Sequence, residues 1–176
     1  MAHREATRYG LAEYLTDLKS ALDGLTPVEL YWQPSPNSNH IAWLVWHMAR
    51  VEDSWYNGYI GGNETVWVTG DYPTRFRLIA NGNGARDSAE DVAGFPKLAM
   101  ADILEYFDAV RVKTLEVLES LTPDDLSQPR HLSQPRQRDR PDRPTVGWVM
   151  GHVLIEQGQH LGQVAYLRGM LRGLNG

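Results

Sequence analysis

The chain has 176 residues, a net charge of −5 and no cysteine, and its length is typical of one domain, which we expect to span residues 1–176. The missing cysteine excludes a disulfide framework, a cysteine-based zinc site, an iron–sulfur cluster and a catalytic thiol within the chain. The acidic balance argues against nucleic-acid binding, no apolar run is long enough to span a membrane, and the first residues lack an apolar signal core, so we expect a cytoplasmic protein.

Four segments have the three- and four-residue apolar spacing that is typical of amphipathic helices. The predicted helices run from about Arg4 to Asp23, from about Ser38 to Tyr59, from about Lys97 to Ser120, and from Thr145 to about Arg172. Ser38 and Thr145 are the predicted N-caps of the second and fourth helices, because a side-chain oxygen there can accept from a free backbone N–H.

Strand signals are weak, since the brief alternation over Thr65–Val68 has no clear partner strand. The segment from Gly58 to Pro96 contains seven glycines and no sustained periodicity. A connection of this length commonly crosses a bundle or contributes to a site. The sequence therefore predicts an all-α four-helix bundle with a long crossover between its second and third helices.

The two halves of the chain share a pattern. Thr26 and Glu29 form a predicted capping box, and Leu121-Thr122-Pro123-Asp124-Asp125-Leu126 repeats the same arrangement. Each is followed by Gln-Pro and then by a helix with the spacing Trp-x-x-x-His, which ends at His47 in the first half and His152 in the second. The pattern indicates two related helix–turn–helix halves.

The segment from Ser127 to Pro144 holds five arginines and four prolines. Such a composition is typical of a solvated, semi-extended linker. The alternative is that one or two of these arginines bind an anionic ligand at the mouth of the bundle.

Two polar residues lie within the apolar stripe of the fourth helix. With Val146 at zero and about 100° per residue, Glu156 falls near 280° and His160 near 320°, on either side of Val149 near 300°. A buried carboxylate without a partner is costly, so something must compensate its charge. The four-residue spacing stacks the two side chains one turn apart, which suits chelation of one metal ion. An internal ion pair, or a hydrogen bond to a tyrosine or tryptophan, is the alternative.

A third ligand is expected from a facing helix, and His47 on the flank of the second helix is the candidate. Two imidazoles and one carboxylate would leave positions open for water or substrate, as in catalytic metal sites. A lone histidine at such a place is also commonly a packed or hydrogen-bonded residue. His152 could replace His47 or support the site from outside, and Glu52 could be a supporting partner, a base, or a contact to a helix end.

The remaining polar and aromatic candidates are assigned no catalytic role. His3, His40 and His131 lie in a terminus, a helix start and a linker. Seven aromatic residues gather around the second helix and its partner segments, and we expect them to pack in the core, with an aromatic wall above a metal ion as the alternative. They are Trp43, Trp46, Trp55, Tyr56, Tyr59, Trp67 and Trp148.

The sequence resembles the DinB-like family of bacterial four-helix proteins, which includes YfiT-like hydrolases and thiol-dependent S-transferases. The matching stretches are Ser38–Asp53, which reads SNHIAWLVWHMARVED, and Gly151–Val164, which reads GHVLIEQGQHLGQV. The Leu-Thr-Pro-x-x-Leu turns and the stretch Tyr106–Leu121 are also similar to that family.

The resemblance implies a metal site formed by His47, Glu156 and His160. Many members carry histidine where this chain has Glu156, and a glutamate there resembles the mycothiol-dependent maleylpyruvate isomerase branch. The resemblance further implies a divalent metal, zinc or alternatively nickel, a low-molecular-weight thiol such as mycothiol or bacillithiol as co-substrate, a small-molecule substrate, and a homodimer. Three functions follow as hypotheses: thiol transfer or isomerisation, metal-assisted hydrolysis of the YfiT type, and metal binding without turnover in a stress-associated bundle. Nothing in the chain matches recognition of a thiol cofactor, and DNA binding ranks last.

Overall fold

A computed structural model describes residues 2–130 and 144–173. No β-strand occurs in these two ranges, which confirms the predicted all-α fold. The α-helices are α1 (Ala2–Leu22), α2 (Pro27–Leu30), α3 (Ile41–Glu52), α4 (Val66–Thr69), α5 (Tyr72–Phe76), α6 (Ala89–Ala93), α7 (Met100–Ser120) and α8 (Val146–Arg172). A π-helical segment, Asp53–Ile60, continues α3, and a 3₁₀ turn, Pro123–Ser127, follows α7.

The long helices α1, α3, α7 and α8 form the body of the fold. Helix α1 packs on α8, and α3 packs on both α7 and α8. Every residue from Ile41 to Ile60 is buried, so α3 and its continuation form the central element. A helix that is buried all round places any polar side chain it carries inside the protein, and His47 is one of these.

Side-chain caps set several helix starts as the sequence predicts. The Thr26 hydroxyl accepts from the backbone N–H of Glu29, whose carboxylate in turn accepts from the Thr26 backbone, which completes a capping box. Thr122 and Asp125 form the equivalent box in the second half. The hydroxyl of Thr145 accepts from Trp148 N at 3.2 Å and caps α8.

The predicted cap at Ser38 is wrong. Helix α3 begins at Ile41 and its N-cap is His40, whose Nδ1 accepts from the backbone N–H of Trp43 at 3.1 Å. His40, to which sequence assigns no role, therefore has a structural one. An imidazole nitrogen replaces a hydroxyl here because the ring is buried and stays neutral, so its lone pair remains free to accept.

The third long helix, α7, begins at Met100, three residues after the predicted start at Lys97. The hydroxyl of Tyr31 accepts from the backbone N–H of Leu98 at 2.6 Å. Ala99 has the extended backbone angles φ −70° and ψ 139°. Tyr31, from the first half of the chain, therefore holds the residues just before α7 outside the helical conformation.

The long crossover contains the short helices α4, α5 and α6. Thr65–Val68, which sequence leaves as a brief alternation, forms the start of α4. The buried carboxylate of Asp53 accepts from the backbone N–H groups of Val66 at 2.9 Å and Trp67 at 2.8 Å. These bonds satisfy N–H groups that a helix start leaves free, so the central helix anchors the crossover.

Most of the predicted linker from Ser127 to Pro144, together with His131, lies outside the described residues. At its edges, Arg130 pairs with Asp125, and the Tyr59 hydroxyl donates to the carbonyl of Pro144 at 2.7 Å. Within residues 2–130 and 144–173, no helix combines the length and apolar character that crossing a bilayer requires.

Candidate metal centre

The three predicted ligands meet between two helices. Helix α3 carries His47, and α8 carries Glu156 and His160. One ligand atom from each of the three side chains lies within 4.8 Å of the others. His47 Nε2 is 3.8 Å from Glu156 Oε1, and the two imidazole rings meet edge to face with their centroids 4.9 Å apart. This arrangement of two nitrogens and one oxygen could hold a metal ion.

The orientation of His47 is fixed on two sides. Its Nδ1 contacts the backbone carbonyl of Asn83. Because a carbonyl oxygen can only accept, Nδ1 carries the proton and Nε2 keeps its lone pair. The ring also stacks on Trp43, with centroids 4.9 Å apart and planes within 7°. The lone pair of Nε2 is thereby available on the side of the ring that faces Glu156.

The segment that supplies the Asn83 carbonyl fits closely against this histidine. Gly84 has φ +89°, and a Cβ there would lie 2.8 Å from Trp43 Cζ2 and 2.9 Å from His47 Nδ1. These distances are below normal contact, and the backbone angle favours glycine. The long crossover therefore contacts one of the three predicted ligands at Asn83 and Gly84.

Glu156 lies between two imidazoles. Its side chain is 14% exposed, with His47 Nε2 3.8 Å from Oε1 and His152 Nε2 2.7 Å from Oε2. The His152 contact has the distance of an ion pair, although the ring is not aligned for a hydrogen bond. The carboxylate thus faces the bundle seam, as the helical spacing predicts, and a histidine nitrogen lies near each of its oxygens.

His160 completes the cluster from one turn further along α8. Its Nδ1 donates to Oε1 of Gln163 at 2.9 Å, which leaves the Nε2 lone pair for another partner. Burial lowers the pKa of His160, more strongly than any neighbouring charge. The neutral imidazole is the form that ligates metals, so burial favours the ligating state.

These residues fit a divalent cation on chemical grounds. Both histidines direct Nδ1–H to an oxygen acceptor, the usual support of a metal-bound imidazole. The carboxylate supplies negative charge at a half-buried place where a cation would compensate it. Three protein ligands leave coordination positions for water or substrate, which distinguishes such sites from closed structural ones.

Glu52 lies apart from this cluster. Its fully buried carboxylate accepts from Arg111 Nε at 2.8 Å and Nη2 at 3.0 Å, and from the Tyr14 hydroxyl. Arg111 also donates to the Leu11 carbonyl at 2.6 Å. The sequence leaves three roles open for Glu52: a supporting partner of the metal site, a base, or a contact to a helix end. None of these contacts to the predicted metal ligands is found among the residues that the structure describes. Glu52 joins α1, α3 and α7 through an internal ion pair.

Sequence reasoning misses Gln157, which ties the two ligand helices together. Its side chain is fully buried and its Nε2 donates to the carbonyl of Met48 at 2.9 Å. Met48 is the neighbour of His47, so this bond fixes the spacing of α3 and α8 at the cluster. A signal was present in the sequence, because Gln157 falls at about 20° on the same projection, next to Val146 and Val164 at the edge of the apolar stripe.

The aromatic residues around α3 are largely core, as predicted. Trp43, Trp46, Trp55 and Trp67 are all buried, and Trp148 is half-buried. Trp148 stacks on His152 with centroids 4.6 Å apart and planes within 14°, which repeats the stacking of Trp43 on His47. The Trp-x-x-x-His pattern thus corresponds to one local structure used twice.

Comparison with known proteins gives a family and a fold. The sequence model of the DinB superfamily matches residues 11–164. No curated protein matches the chain. The fold is similar to the crystal structure of a conserved protein from Enterococcus faecalis, with a TM-score of 0.82, 18% sequence identity and coverage of 97% of each chain.

Proposed function

The chain belongs to the DinB superfamily, and we propose that it binds one divalent metal ion through His47, Glu156 and His160 and acts as a metal-dependent enzyme on a small molecule. The observation that carries the proposal is the convergence of the three ligand atoms within 4.8 Å of one another. Zinc is the proposed ion, with nickel as the alternative, because imidazole and carboxylate ligands suit both.

We propose a low-molecular-weight thiol, mycothiol or bacillithiol, as co-substrate. A bound divalent ion would lower the pKa of a coordinated thiol and so supply a thiolate at neutral pH. The chain has no cysteine, so a sulfur nucleophile must come from a second molecule. The product would arise by S-transfer, conjugation or isomerisation, as in the mycothiol-dependent isomerase branch that the sequence resembles.

The protein's own residues would prepare this chemistry. The Asn83 carbonyl accepts from Nδ1 of His47, Gln163 accepts from Nδ1 of His160, and His152 contacts one carboxylate oxygen of Glu156. These contacts aim three ligand atoms at one place before any ion arrives. Preorganisation of this kind reduces the cost of assembling a metal site.

Metal content tests the site. We expect His160→Ala to lose stoichiometric zinc or nickel while keeping its helical circular dichroism, because two ligands remain where three are needed. Gln159→Ala, an exposed neighbour on the same helix, is the matched control and should keep the metal. Unchanged metal stoichiometry in His160→Ala would overturn the assignment.

Turnover separates thiol chemistry from the two alternatives. Activity toward electrophilic substrates that requires added thiol supports the transferase or isomerase. Activity without thiol identifies a hydrolase of the YfiT type, in which water replaces the thiol. A protein that binds metal and turns over neither class of substrate is a non-catalytic metal-binding bundle.

We also propose that the protein is a homodimer that packs through the outer face of α8. Ile155 is 64% and Tyr166 70% exposed on this helix. A Cβ added at Gly158 or Gly162 would meet no atom within 4 Å, so a second helix could approach closely there. An apolar helix face of this kind is usually covered by a partner.

A further inference from the structure

A cavity of about 600 Å³ lies beside the candidate metal centre, between the loop 79–87 and the C-terminal part of α3. We propose that this cavity binds a small organic carboxylate with an apolar body. His47, Glu156 and His160 are not among the described residues that line it. The inference therefore concerns a second site and does not depend on the metal.

Arg50 supplies positive charge at the cavity wall. The residue is 4% exposed. Its Nε and Nη2 donate to the carbonyl of Gly82 at 3.3 and 2.7 Å, and its Nη1 donates to the Tyr106 hydroxyl at 3.3 Å. A guanidinium carries five N–H donors, so two remain for another acceptor. A carboxylate is the acceptor that the guanidinium geometry fits best.

Two hydroxyl groups at the cavity have no hydrogen-bond partner among the described residues. Ser54 is 3% exposed and lines the cavity. Thr65 lines it too, and although it stands at the N-cap of α4 its side chain makes no capping bond. Together with the two remaining N–H groups of Arg50, these hydroxyls are donors that a ligand in the cavity could engage.

Two aspartates lie close to this group, and both are engaged by other donors. Asp53 approaches Arg50 at 3.6 Å, but its carboxylate also accepts four hydrogen bonds, from Asn57, the Tyr106 hydroxyl and two backbone N–H groups of α4. Arg86 adds a second cation to the lining, and Asp87, the acid in the lining, accepts from the indole N–H of Trp43 at 3.0 Å.

The rest of the cavity wall is apolar. Val68, Ile79, Ala80 and Ala85 line it, and Ile79 is 76% exposed. Pockets of this volume that combine apolar walls with a few placed polar groups are typical small-molecule sites. The apolar body of the ligand would cover Val68 and Ile79 while its carboxylate meets Arg50, Ser54 and Thr65.

Benzoate and its neutral analogue benzamide test the proposal. The full-length protein, first with its metal retained and then after chelation, is titrated with each at constant ionic strength and followed by NMR. We expect saturable benzoate binding of equal affinity in both states, and benzamide binding at least about tenfold weaker, because a charge-assisted hydrogen bond is lost. Equal binding of the two probes, benzoate binding only to the metal-loaded protein, or no saturable benzoate binding would overturn the proposal.

Two variants test whether benzoate binds in this cavity. Ser54→Ala removes one donor and should weaken benzoate binding by about tenfold, whereas Ser127→Ala, an exposed serine outside the cavity, should leave it unchanged. Ala80→Trp fills the cavity from an exposed position and should abolish binding while circular dichroism shows intact helices. Unchanged benzoate affinity in both Ser54→Ala and Ala80→Trp would place the probe elsewhere and refute the site.

Discussion

His40 links the stability of the fold to pH. The ring is 2% exposed, its Nδ1 accepts from Trp43 N, and its Nε2 lies 3.2 Å from the carbonyl of Val92. Burial lowers the pKa of His40 to about 4, and the nearby charge of Lys97 acts in the same direction. A protonated Nδ1 cannot accept, so protonation removes the N-cap of the central helix.

The pH dependence of the free energy of unfolding follows from the pKa of His40 in the folded and in the unfolded chain. In the unfolded chain a histidine has a pKa of about 6.5, so between that pH and about pH 4 the unfolded state binds more protons than the folded state. Stability must therefore fall as the pH falls through this window. Across the full window the free energy of unfolding falls by about 3 kcal/mol, since one pKa unit is worth about 1.4 kcal/mol.

The variant His40→Asn isolates this contribution, because asparagine is a good N-cap that does not titrate in this range. Urea unfolding of the metal-free protein at pH 7 and pH 4 gives the free energies of unfolding. We expect the parent to lose about 3 kcal/mol more than His40→Asn over this interval. Other titrating groups are common to both proteins and cancel in the comparison.

Thr145→Ala is the matched control, since it removes the cap of α8 without changing a titratable group. It should cost about 1 kcal/mol equally at both pH values. If the parent and His40→Asn lose stability in parallel between pH 7 and pH 4, the neutral, capping His40 described above is refuted.

Three further predictions concern the site, the core and the surface. Gly84→Ala should weaken metal binding by about tenfold in chelator competition, because its Cβ would displace His47. Gly151→Ala, where an added Cβ meets no atom within 4 Å, should bind metal as the parent does. Equal metal affinities of the two variants would contradict the role of the crossover loop. Arg111→Met should lower the free energy of unfolding by about 3–5 kcal/mol in urea titration, because a buried carboxylate loses its partner; a loss under about 1 kcal/mol would contradict the buried ion pair. Gly162→Trp should convert the proposed dimer to a monomer in light scattering with the helices intact, and an unchanged mass would remove α8 as the interface.

The features that can be predicted from this sequence are those that depend on the spacing of residues along a helix. Glu156 and His160 stand four residues apart on one stripe, and the bundle brings that stripe against α3. The choice of His47 as their partner came from a general expectation about facing helices and from family resemblance, and its ligand atom does lie with theirs. That all three ligate a metal stays a prediction, as do the single domain and the cytoplasmic location.

The features that sequence missed depend on contacts between distant segments. The partners of Glu52 come from 38 and 59 residues away, and no local pattern identifies them. The Asn83 carbonyl that orients His47 lies in a segment without periodicity, 36 residues along the chain. The cap at His40 was missed for another reason, because histidine accepts at a helix start only where burial keeps it neutral, and burial is a property of the finished fold.

The repeated Trp-x-x-x-His pattern explains how a carboxylate can be kept in the seam of α8. In each half, an indole stacks on the imidazole four residues later, and the two imidazoles reach opposite oxygens of Glu156. In the first half, the crossover loop also supplies the Asn83 carbonyl, which lies against Nδ1 of His47. That bond leaves the Nε2 lone pair of His47 on the side that faces Oε1 of Glu156, whereas His152 lies beside Oε2. The repeated motif therefore supplies both a candidate ligand, His47, and a residue that contacts the carboxylate of Glu156, His152.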